Sequence, residues 1–462
     1  MMKYCSRPFS HVHILPDGRV SFCSWEDEII GNLHDNSLEE IWNGKLAQKG
    51  REAFFDQTFR YCRVQSCHYL ENDSLERVTE EEFDRRAIPG DYPERFNLAF
   101  DFICNHSCPS CRSEVFIPSS DYRENLQKMI DKIQPYLNKA EYISANGNGD
   151  LFANPQVIEM LGRIRPENPK INIGIETNGV LFDEENWGKI KNLGNYNLLV
   201  TVTPNSFDRN TYRYLSGGHD NLERLKRNLH FISNLRQQEI INRFDISIVV
   251  QDTNYRELPE FSRISLEEFK ADRVVVKPIY RWFNISADDY WVKDILNPLN
   301  PYFNDYQEIL KDPILKDPRV YFWGGHNIHA AKKHPAYRYR DMLELASTII
   351  KEDNSGKNLT DRLLAKGYSS VILYGDEPLT DIVIESLRRD KRVEIRYILA
   401  SVHKRCEISG IPIKEYDDYC PDEKDVLLVV NFPNMEQISK EFSDTNRQVN
   451  LFGLDTLYSD ER

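Results

Sequence analysis

The stretch Asn97-Leu-Ala-Phe-Asp-Phe-Ile-Cys-Asn-His-Ser-Cys-Pro-Ser-Cys-Arg112 carries three cysteines in the spacing C-x3-C-x2-C, namely Cys104, Cys108 and Cys111. Four cysteine thiolates complete the coordination of a tetrahedral zinc ion or of an iron–sulfur cube. Three thiolates with no fourth cysteine nearby leave one metal position open, and a substrate or cofactor can bind there. The spacing therefore indicates a reactive metal centre.

Short apolar strands alternate with amphipathic helices around and after this stretch, which is typical of a parallel βα array. The first predicted strand leads directly into the cysteines, so we expect their loop to leave the end of a buried strand. Six such units in about 190 residues predict a partial (βα)6 barrel, whose active residues gather at the strand carboxyl ends. The predicted strands are residues 96–102, 141–145, 171–177, 197–203, 244–251 and 273–279.

Polar side chains and glycines follow the later predicted strands, where a barrel would carry its site. Glycines allow close backbone approach, and a carboxylate such as that of Asp150 can accept hydrogen bonds from an ammonium group. The candidate residues of that site are Asn146, Gly147, Gly149, Asp150, Asn178, Gly179, Thr203, Asn205, Arg213 and Gln251.

The cysteine triplet with these motifs resembles the radical S-adenosylmethionine (radical SAM) superfamily. The resemblance implies a 4Fe–4S cluster on the three cysteines, with S-adenosylmethionine chelating the fourth iron through its amino and carboxylate groups. Gly149 and Asp150 stand in the place of a Gly-Gly-Glu motif that binds the amino group, with Asp for Glu. Ser216 replaces an arginine that holds the cofactor carboxylate in relatives, and Arg213, about one helical turn earlier, is its possible substitute.

Four further cysteines, Cys5, Cys23, Cys62 and Cys67, precede the triplet. A hairpin is predicted across residues 11–22, and Ser37 with Glu40 predicts a capping box at the start of a helix. Thiolates from the hairpin and from a loop after the helix can converge on one metal. Their order resembles a SPASM-type auxiliary-cluster domain, which implies one auxiliary 4Fe–4S cluster.

Zinc is the alternative at both sites. The triplet could bind zinc with a distant fourth ligand such as His106 or His68, and the four N-terminal cysteines could close around zinc as well. The chain would then be a zinc-stabilised binding protein without catalysis. That reading does not require the Gly-Asn-Gly-Asp and Thr-Asn-Gly turns, both of which are present.

Composition limits the possible partners. The chain has 462 residues, 40% hydrophobic and 29% charged, with a net charge of −14. This length suggests about three domains. The acidic balance argues against nucleic acid, and no apolar run approaches the ~20 residues that span a membrane. Cysteines without a disulfide pattern fit a reducing compartment, so we expect a cytoplasmic protein.

The C-terminal part predicts a separate Rossmann-like α/β domain, with strands near residues 369–375, 393–399 and 425–430. Gly375 stands alone and is followed by acidic residues, which disfavours a dinucleotide site. Residues 351–356 predict a polar linker, and the aromatic and basic segment 323–340 is a candidate for binding an anionic substrate or a solvated connector. The expected domains are residues 1–90 (auxiliary cluster), 91–285 (barrel), 286–357 (connector) and 358–462 (Rossmann-like).

The resemblance implies reductive cleavage of S-adenosylmethionine to a 5′-deoxyadenosyl radical that abstracts hydrogen from a substrate. The auxiliary cluster would accept an electron, giving dehydrogenation, and the electrons would come from a donor such as flavodoxin or ferredoxin. Epimerisation is an alternative outcome, for which Cys406 and Cys420 are the uncommitted thiols. Peptide-modifying relatives often have an extra N-terminal domain before the cysteines. Cys5 stands at the start of this chain, so we expect a small, sugar-like substrate, with peptide or protein modification as the alternative.

Overall fold

The computed structural model describes residues 1–462 except 65, 113, 281–286, 324–334, 357, 376–377, 401–406, 415–424, 431–450 and 459–462. The chain divides into two compact units. We call Met1–Phe55 with Arg63–Lys333 the barrel unit, and Asp56–Cys62 with His334–Arg462 the C-terminal unit. No helix within the described part of the chain is long and apolar enough to cross a membrane.

The described strands of the barrel unit are β1 (Met2–Tyr4), β2 (His11–Ile14), β3 (Arg19–Ser21), β4 (Gly31–Asn32), β5 (Glu76–Val78), β6 (Arg95–Leu98), β7 (Tyr142–Ala145), β8 (Asn172–Thr177), β9 (Asn197–Val202), β10 (Arg243–Val250), β11 (Arg273–Pro278) and β12 (Val320–Phe322). Ten of them form one sheet in the order β12-β11-β10-β9-β8-β7-β6-β2-β3-β4. Neighbours from β12 to β2 pair in parallel, while β3 and β4 are antiparallel. The remaining two strands, β1 and β5, form a separate antiparallel pair.

The described helices of this unit are α1 (Arg7–Ser10), α2 (Leu38–Asn43), α3 (Lys45–Phe55), α4 (His68–Glu71), α5 (Glu80–Arg86), α6 (Ser120–Leu137), α7 (Pro155–Arg163), α8 (Glu184–Ile190), α9 (Arg209–Leu215), α10 (Leu222–Gln237), α11 (Leu258–Arg263), α12 (Ala287–Lys293) and α13 (Phe303–Ile309). Apolar residues of α6, α7 and α10 share one buried core with the strands. That core holds the helices on one side of the sheet, which is the expected result of parallel βα crossovers.

The two faces of the parallel sheet differ in chemistry. Residues opposite one another in neighbouring parallel strands share a face, and successive residues alternate between faces. One row is apolar and almost fully buried: Leu98, Ala145, Ile175 and Val200. The row beside it, on the other face, is largely polar: Glu176, Thr201, Asp245 and Arg273.

All six strands predicted for the barrel are present, and the mixed α/β class with a large parallel sheet is confirmed. A barrel of exactly six units is not confirmed, because β2 and β12 extend the parallel sheet on either side. The first predicted strand is also shorter than expected. It ends at Leu98 because the next residues turn around the buried carboxylate of Asp101, which accepts a hydrogen bond from the Ile103 amide at 3.0 Å.

The N-terminal segment forms the predicted hairpin and capped helix. Strands β2 and β3 pair antiparallel, with Gly18 at φ +80° in the turn. Ser37 and Glu40 exchange both hydrogen bonds of the capping box at the start of α2. The unexpected feature is that β2 pairs in parallel with β6, so this segment is built into the barrel sheet.

The C-terminal unit contains α14 (Pro335–Ser355), α15 (Leu359–Ala365), β13 (Ser370–Tyr374), α16 (Pro378–Arg389), β14 (Glu394–Leu399), β15 (Glu407–Ile408), β16 (Ile411–Lys414), β17 (Asp425–Val429) and β18 (Leu451–Gly453). Its described strands form one sheet in the order β15-β16-β14-β13-β17-β18. All neighbours pair in parallel except β15 with β16.

The linker predicted at residues 351–356 is wrong for residues 351–355, which complete helix α14. Polarity here reflects ion pairing within the unit. Glu352 binds Arg362 at 2.5 Å, and Asp353 accepts a hydrogen bond from Ser386 at 2.8 Å. A short polar run is therefore compatible with a helix whose charged side chains bind neighbouring elements.

Candidate functional site

The cysteine loop follows β6, at the carboxyl end of the parallel sheet. Asp101, 5% exposed, anchors its first turn. Besides the Ile103 amide, its carboxylate accepts hydrogen bonds from the Tyr122 hydroxyl at 3.0 Å and from the Asn154 amide at 2.8 Å. Tyr122 lies on α6 and Asn154 caps α7, so two barrel helices fix where the loop begins.

Cys104, Cys108 and Cys111 lie in a tight turn, where the Cys111 amide donates to the Cys108 carbonyl at 2.9 Å. Burial raises the pKa of Cys104 to about 11 and that of Cys108 to about 12, and the neighbouring cysteines of the triplet add to both shifts. Cys104 and Cys108 therefore lie close to the other thiols of the triplet and are protonated at neutral pH until a metal replaces the protons.

The predicted Gly-Asn-Gly-Asp turn packs directly against the cysteine loop. The Asp150 amide donates to the Ile103 carbonyl at 2.8 Å. A side chain at Gly149 would place its Cβ 2.0 Å from the Ile103 carbonyl oxygen, so this position accepts only glycine. Gly147 has a positive φ of +36° and donates its amide to Leu98 at 3.2 Å.

Asp150 is 2% exposed, and its carboxylate is bound within the protein. It accepts hydrogen bonds from the Thr177 hydroxyl and the Asn178 amide, both at 2.7 Å, and from the Phe152 amide at 3.1 Å. Burial raises its pKa, and these hydrogen bonds oppose the rise. In this structure the carboxylate therefore joins the turn after β7 to the Thr-Asn-Gly turn after β8.

Asn178 extends this connection to the cysteines. Its side-chain amide donates to Asn105 at 2.8 Å and lies 4.0 Å from the Cys104 sulfur. Gly179 has φ +79°, and a Cβ there would lie 2.5 Å from Val202 of β9. The turn after β8 is thus held between the cysteine loop and the next strand.

The turn after α9 approaches the cysteine loop from the other side. The Ser107 amide donates to the Ser216 carbonyl at 3.4 Å, and a Cβ on Gly217 would lie 2.3 Å from the Ser107 carbonyl oxygen. His106 is 4% exposed and its ring stacks on that of His219 at 5.3 Å. Arg213 is exposed and donates to the Gly218 carbonyl at 3.4 Å.

The candidates after β9 and β10 lie together. The Thr203 and Ser247 hydroxyls are 2.6 Å apart, and the Asn205 side-chain oxygen accepts from the Val249 amide at 2.9 Å. Gln251 is 1% exposed, and neither polar atom of its side-chain amide has a hydrogen-bond partner in the described part of the structure. An unpartnered buried amide is costly unless a ligand or water satisfies it.

The polar face of the sheet is concave near these carboxyl ends. Glu176 of β8 and Lys277 of β11 form an ion pair at 3.1 Å. Two strands lie between them, and Lys277 is four residues beyond Arg273, the residue in register with Glu176. In a flat sheet their backbones would be about 20 Å apart, which is farther than the two side chains reach. The sheet must therefore curve towards this face, which also carries His13 and Asn97 in register.

Three of the four N-terminal cysteines belong to the barrel unit. Cys5 follows β1, Cys23 follows β3 and Cys67 precedes α4. Burial raises the pKa of Cys5 to about 12, with further contributions from Cys23 and Cys67, so the three thiols are close together. Cys62 belongs to the C-terminal unit, and its place in this set remains a prediction.

Aromatic contacts place this N-terminal site near the carboxyl ends of the last barrel strands. The ring of Trp25, two residues after Cys23, lies 5.2 Å from the ring of Tyr280, which follows β11. His68, next to Cys67, lies 6.0 Å from the ring of Trp323, which follows β12. Both cysteine sites therefore lie on the carboxyl side of one parallel sheet.

The residues fit iron–sulfur clusters. Within the described ranges, no three His, Cys, Asp or Glu side chains converge on a single metal ion. Each thiolate of an iron–sulfur cube binds a different iron, so three cysteines of one loop fit such a cluster without converging on one point. The side-chain amide of Asn178 lies near the Cys104 sulfur, and Gly149 and Gly217 contact the loop from either side. The cysteine loop is therefore enclosed by polar backbone.

Sequence reasoning missed three groups at this site. Arg112 contacts Cys111, and Glu176 pairs with Lys277 across the barrel. His13 enters the polar face only because β2 joins the sheet. A charged residue directly after the last cysteine was a visible signal in the sequence, whereas the other two groups depend on long-range pairing.

Several residues predicted from the sequence lie outside the described residues or have side chains that do: Cys406, Cys420, His326, Lys332, Lys333, Arg338 and Arg340.

Family models confirm the two cofactor domains. The model described as the radical SAM superfamily matches residues 101–263, and the model described as an iron–sulfur cluster-binding domain, SPASM, matches residues 5–68. The chain therefore contains a radical SAM domain, with a 4Fe–4S cluster and S-adenosylmethionine as its cofactors. Ahead of it lies a SPASM domain for auxiliary iron–sulfur binding. The zinc interpretation is set aside.

Solved structures with similarity to this chain include SuiB of Streptococcus suis bound to S-adenosylmethionine, with 16% identity and a TM-score of 0.31 over 48% of this chain and 44% of that chain. SuiB bound to the precursor peptide SuiA gives 13% identity and a TM-score of 0.35 over 65% and 66% of the two chains. The first match thus spans less than half of the SuiB chain. No curated protein matches this sequence.

Proposed function

We propose that this protein is a radical SAM dehydrogenase that removes hydrogen from a small, hydroxyl-rich, sugar-like molecule. When bound, the cluster and S-adenosylmethionine supply a 5′-deoxyadenosyl radical, chemistry that amino-acid side chains do not provide. The observation that carries the proposal is the position of the cysteine loop. The loop lies at the carboxyl end of the parallel sheet, beside its concave polar face. Gly149 contacts the loop on one side and Gly217 contacts it on the other.

The chain's own residues have distinct roles in this proposal. Cys104, Cys108 and Cys111 bind the open cluster. Asp150 orients the turn that carries Asn178. The remaining cofactor contacts come from Asn146, Gly147, Gly149, Gly179, Thr203, Asn205, Arg213 and Gln251. The unpartnered side-chain atoms of Asn146 and Gln251 support a polar ligand on this side of the sheet.

The chemistry of the polar face supports the substrate class. Thr203 and Ser247 carry hydroxyls, and Asn97 and His13 add an amide and an imidazole in register on neighbouring strands. The positive charge of Lys277 is already paired with Glu176. A face rich in hydrogen-bonding groups with a balanced charge favours a neutral, polyhydroxylated ligand over an anionic one.

The location of the N-terminal cysteines supports a role of the auxiliary cluster as electron acceptor. Cys5, Cys23 and Cys67 lie close together, and aromatic contacts connect their segments to residues that follow β11 and β12. We propose that Cys62 completes the ligands of one auxiliary cluster. The substrate would lose hydrogen to the radical and then one electron to this cluster and one proton to the surroundings, which balances a two-electron oxidation. A donor such as flavodoxin or ferredoxin would supply the reducing electron.

We propose a Rossmann-like assignment for the C-terminal unit. Numbered within the unit, its parallel strands β13, β14, β16, β17 and β18 lie in the order 3-2-1-4-5, the arrangement of that fold. Gly375 has φ +116°, and no other glycine precedes α16 closely enough for a dinucleotide motif. Docking or assembly is the role that fits. The predicted domain boundaries at residues 90, 285 and 357 and the cytoplasmic location remain predictions.

Anaerobic reconstitution tests the proposal. The purified protein should bind about 8 Fe per chain in two cubic clusters and, after reduction, release 5′-deoxyadenosine from S-adenosylmethionine. The substrate class is tested by mass spectrometry of the 5′-deoxyadenosine formed with perdeuterated sugars or cyclitols. Deuterium transfer from these compounds supports the proposal, and transfer only from deuterated peptides would favour the peptide-modifying alternative. Reduced protein with full iron that forms no 5′-deoxyadenosine would contradict the enzyme itself.

A further inference from the structure

Arg112 follows Cys111 directly, and its half-buried guanidinium makes three contacts at the cluster loop. One nitrogen donates to the Phe102 carbonyl at 2.6 Å. The other donates to the Asn148 carbonyl and lies 3.7 Å from the Cys111 sulfur. The two carbonyls belong to the cysteine loop and to the turn after β7, so the guanidinium fastens these two loops together beside a cluster ligand.

The hydrogen-bond partners of Arg112 within the described residues include no carboxylate. Carbonyl groups accept hydrogen bonds but carry no net charge, and no described carboxylate forms an ion pair with Arg112. Asp101 and Asp150 are nearby acids whose charges interact with it, but neither contacts it directly. The Asp101 carboxylate is bound by Tyr122 and Asn154, and the Asp150 carboxylate is bound by Thr177 and Asn178. Elsewhere in the barrel unit an arginine such as Arg236 is paired with a carboxylate, here Asp272 at 2.7 Å.

We propose that Arg112 supplies a fixed positive charge that favours the reduced state of the open 4Fe–4S cluster. Reduction adds one electron and makes the cluster more negative, so a cation held near a ligand sulfur stabilises the product of that step. Hydrogen bonds to cluster sulfurs and local charge are recognised determinants of cluster potential. Arg112 is thus a positioning and tuning residue, and the inference rests on the proposed function only through the presence of this cluster.

The midpoint potential of the reconstituted protein tests the inference without any substrate. Arg112→Gln removes the charge and keeps a hydrogen-bonding side chain. We expect the equilibrium constant for reduction of the triplet cluster to fall about tenfold, which is a shift of about 59 mV to lower potential for one electron. Arg112→Lys keeps the charge and should stay near the wild-type potential. Arg163→Gln removes an exposed charge from α7 and serves as the matched control.

Each outcome bears on the inference. A lower potential in R112Q, with R112K and R163Q unchanged, supports it, even if the wild type forms no 5′-deoxyadenosine and the proposed enzyme fails. A wild-type potential in iron-loaded R112Q would overturn it. Should R112Q lose its iron, R112K decides: retention of the cluster at the wild-type potential supports the role of charge. Loss of iron in R112K as well, or a tenfold shift in it, would make Arg112 a clip between loops and overturn the inference.

Discussion

The two cysteine sites are built in different ways. The ligands of the open site all lie on one loop after β6, and that loop is held on both sides by close glycine contacts at Gly149 and Gly217. The N-terminal cysteines are distributed over the ends of β1 and β3 and the start of α4. Cys62 even belongs to a different compact unit from its three proposed partners.

This difference separates local from long-range metal binding. A single loop can present its thiolates before any distant segment arrives, so its ligand spacing is readable in the chain. Ligands on separate elements meet only after the chain has folded around them, and the metal then contributes to folding free energy. We therefore expect changes at the open site to remove chemistry, and changes at the N-terminal site to affect stability as well as chemistry.

The largest effect should follow from replacing a cysteine of the triplet. Cys104→Ala, Cys108→Ala or Cys111→Ala should remove one cluster and all reductive cleavage of S-adenosylmethionine, because the iron that binds the cofactor is lost. The fold should persist, since the loop is anchored by Asp101 rather than by the metal. Iron analysis and 5′-deoxyadenosine formation measure this, and a single variant with the wild-type rate would show that the site is misassigned.

Joint replacement of Cys5, Cys23, Cys62 and Cys67 by Ala should spare the triplet site and impair the auxiliary site and the stability of the fold. The triplet cluster should remain and 5′-deoxyadenosine should still form, while oxidised product disappears. The thermal unfolding temperature should fall, because a metal that joins separated elements stabilises the fold directly. Iron content, melting temperature and product yield separate the effects. Full product yield from a soluble variant would reduce this domain to a structural clip.

Asp150→Ala should have an intermediate effect at the open site. The variant removes the buried charged acceptor of the Thr177 hydroxyl and the Asn178 amide, and loss of such an acceptor typically costs about 1.5–3 kcal/mol. Because this carboxylate orients the turn that carries Asn178, we expect the affinity for S-adenosylmethionine to fall by roughly ten- to a hundredfold. The structure adds that Asn178 would lose the acceptor that orients its turn towards Cys104. Iron content should stay unchanged.

A matched control for Asp150 is Asp183→Ala. Asp183 caps helix α8 and binds Arg224 on the surface, so its loss removes a capping carboxylate away from the cysteine loop. We expect a stability decrease of about 1 kcal/mol with unchanged cofactor affinity. Equal effects of both variants on S-adenosylmethionine binding, measured by calorimetry, would remove Asp150 from the site.

The smallest effect sharpens the role of the glycine contacts. Gly217→Ala would force a Cβ within 2.3 Å of the Ser107 carbonyl oxygen, whereas Gly218→Ala meets nothing within 4 Å. Both residues have a positive φ, so both variants should lose about 1 kcal/mol from backbone strain. Only Gly217→Ala should also displace the cysteine loop and lower iron retention. Equal iron content in the two variants would contradict the proposed contact.

Much of the site was predictable because its signals are local. Cysteine spacing, the Thr-Asn-Gly turn and the capping box at Ser37 each depend on residues a few positions apart. The linker prediction at residues 351–355 was wrong because the contacts that decide their structure are not local. Their polarity looked like a linker because the partners that hold Glu352 and Asp353 in a helix, Arg362 and Ser386, lie further along the chain.

The sequence by itself determined the metal chemistry, the parallel βα class and the positions of most strands, since ligand identity and hydrophobic periodicity are properties of short segments. Tertiary structure alone decided that β2 joins the barrel sheet, and that Glu176 meets Lys277 from 101 positions away. It also decided that the carboxylate of Asp150 is bound by Thr177 and Asn178. These contacts depend on strand order and sheet curvature, and no local pattern specifies which distant residues the folded chain brings together.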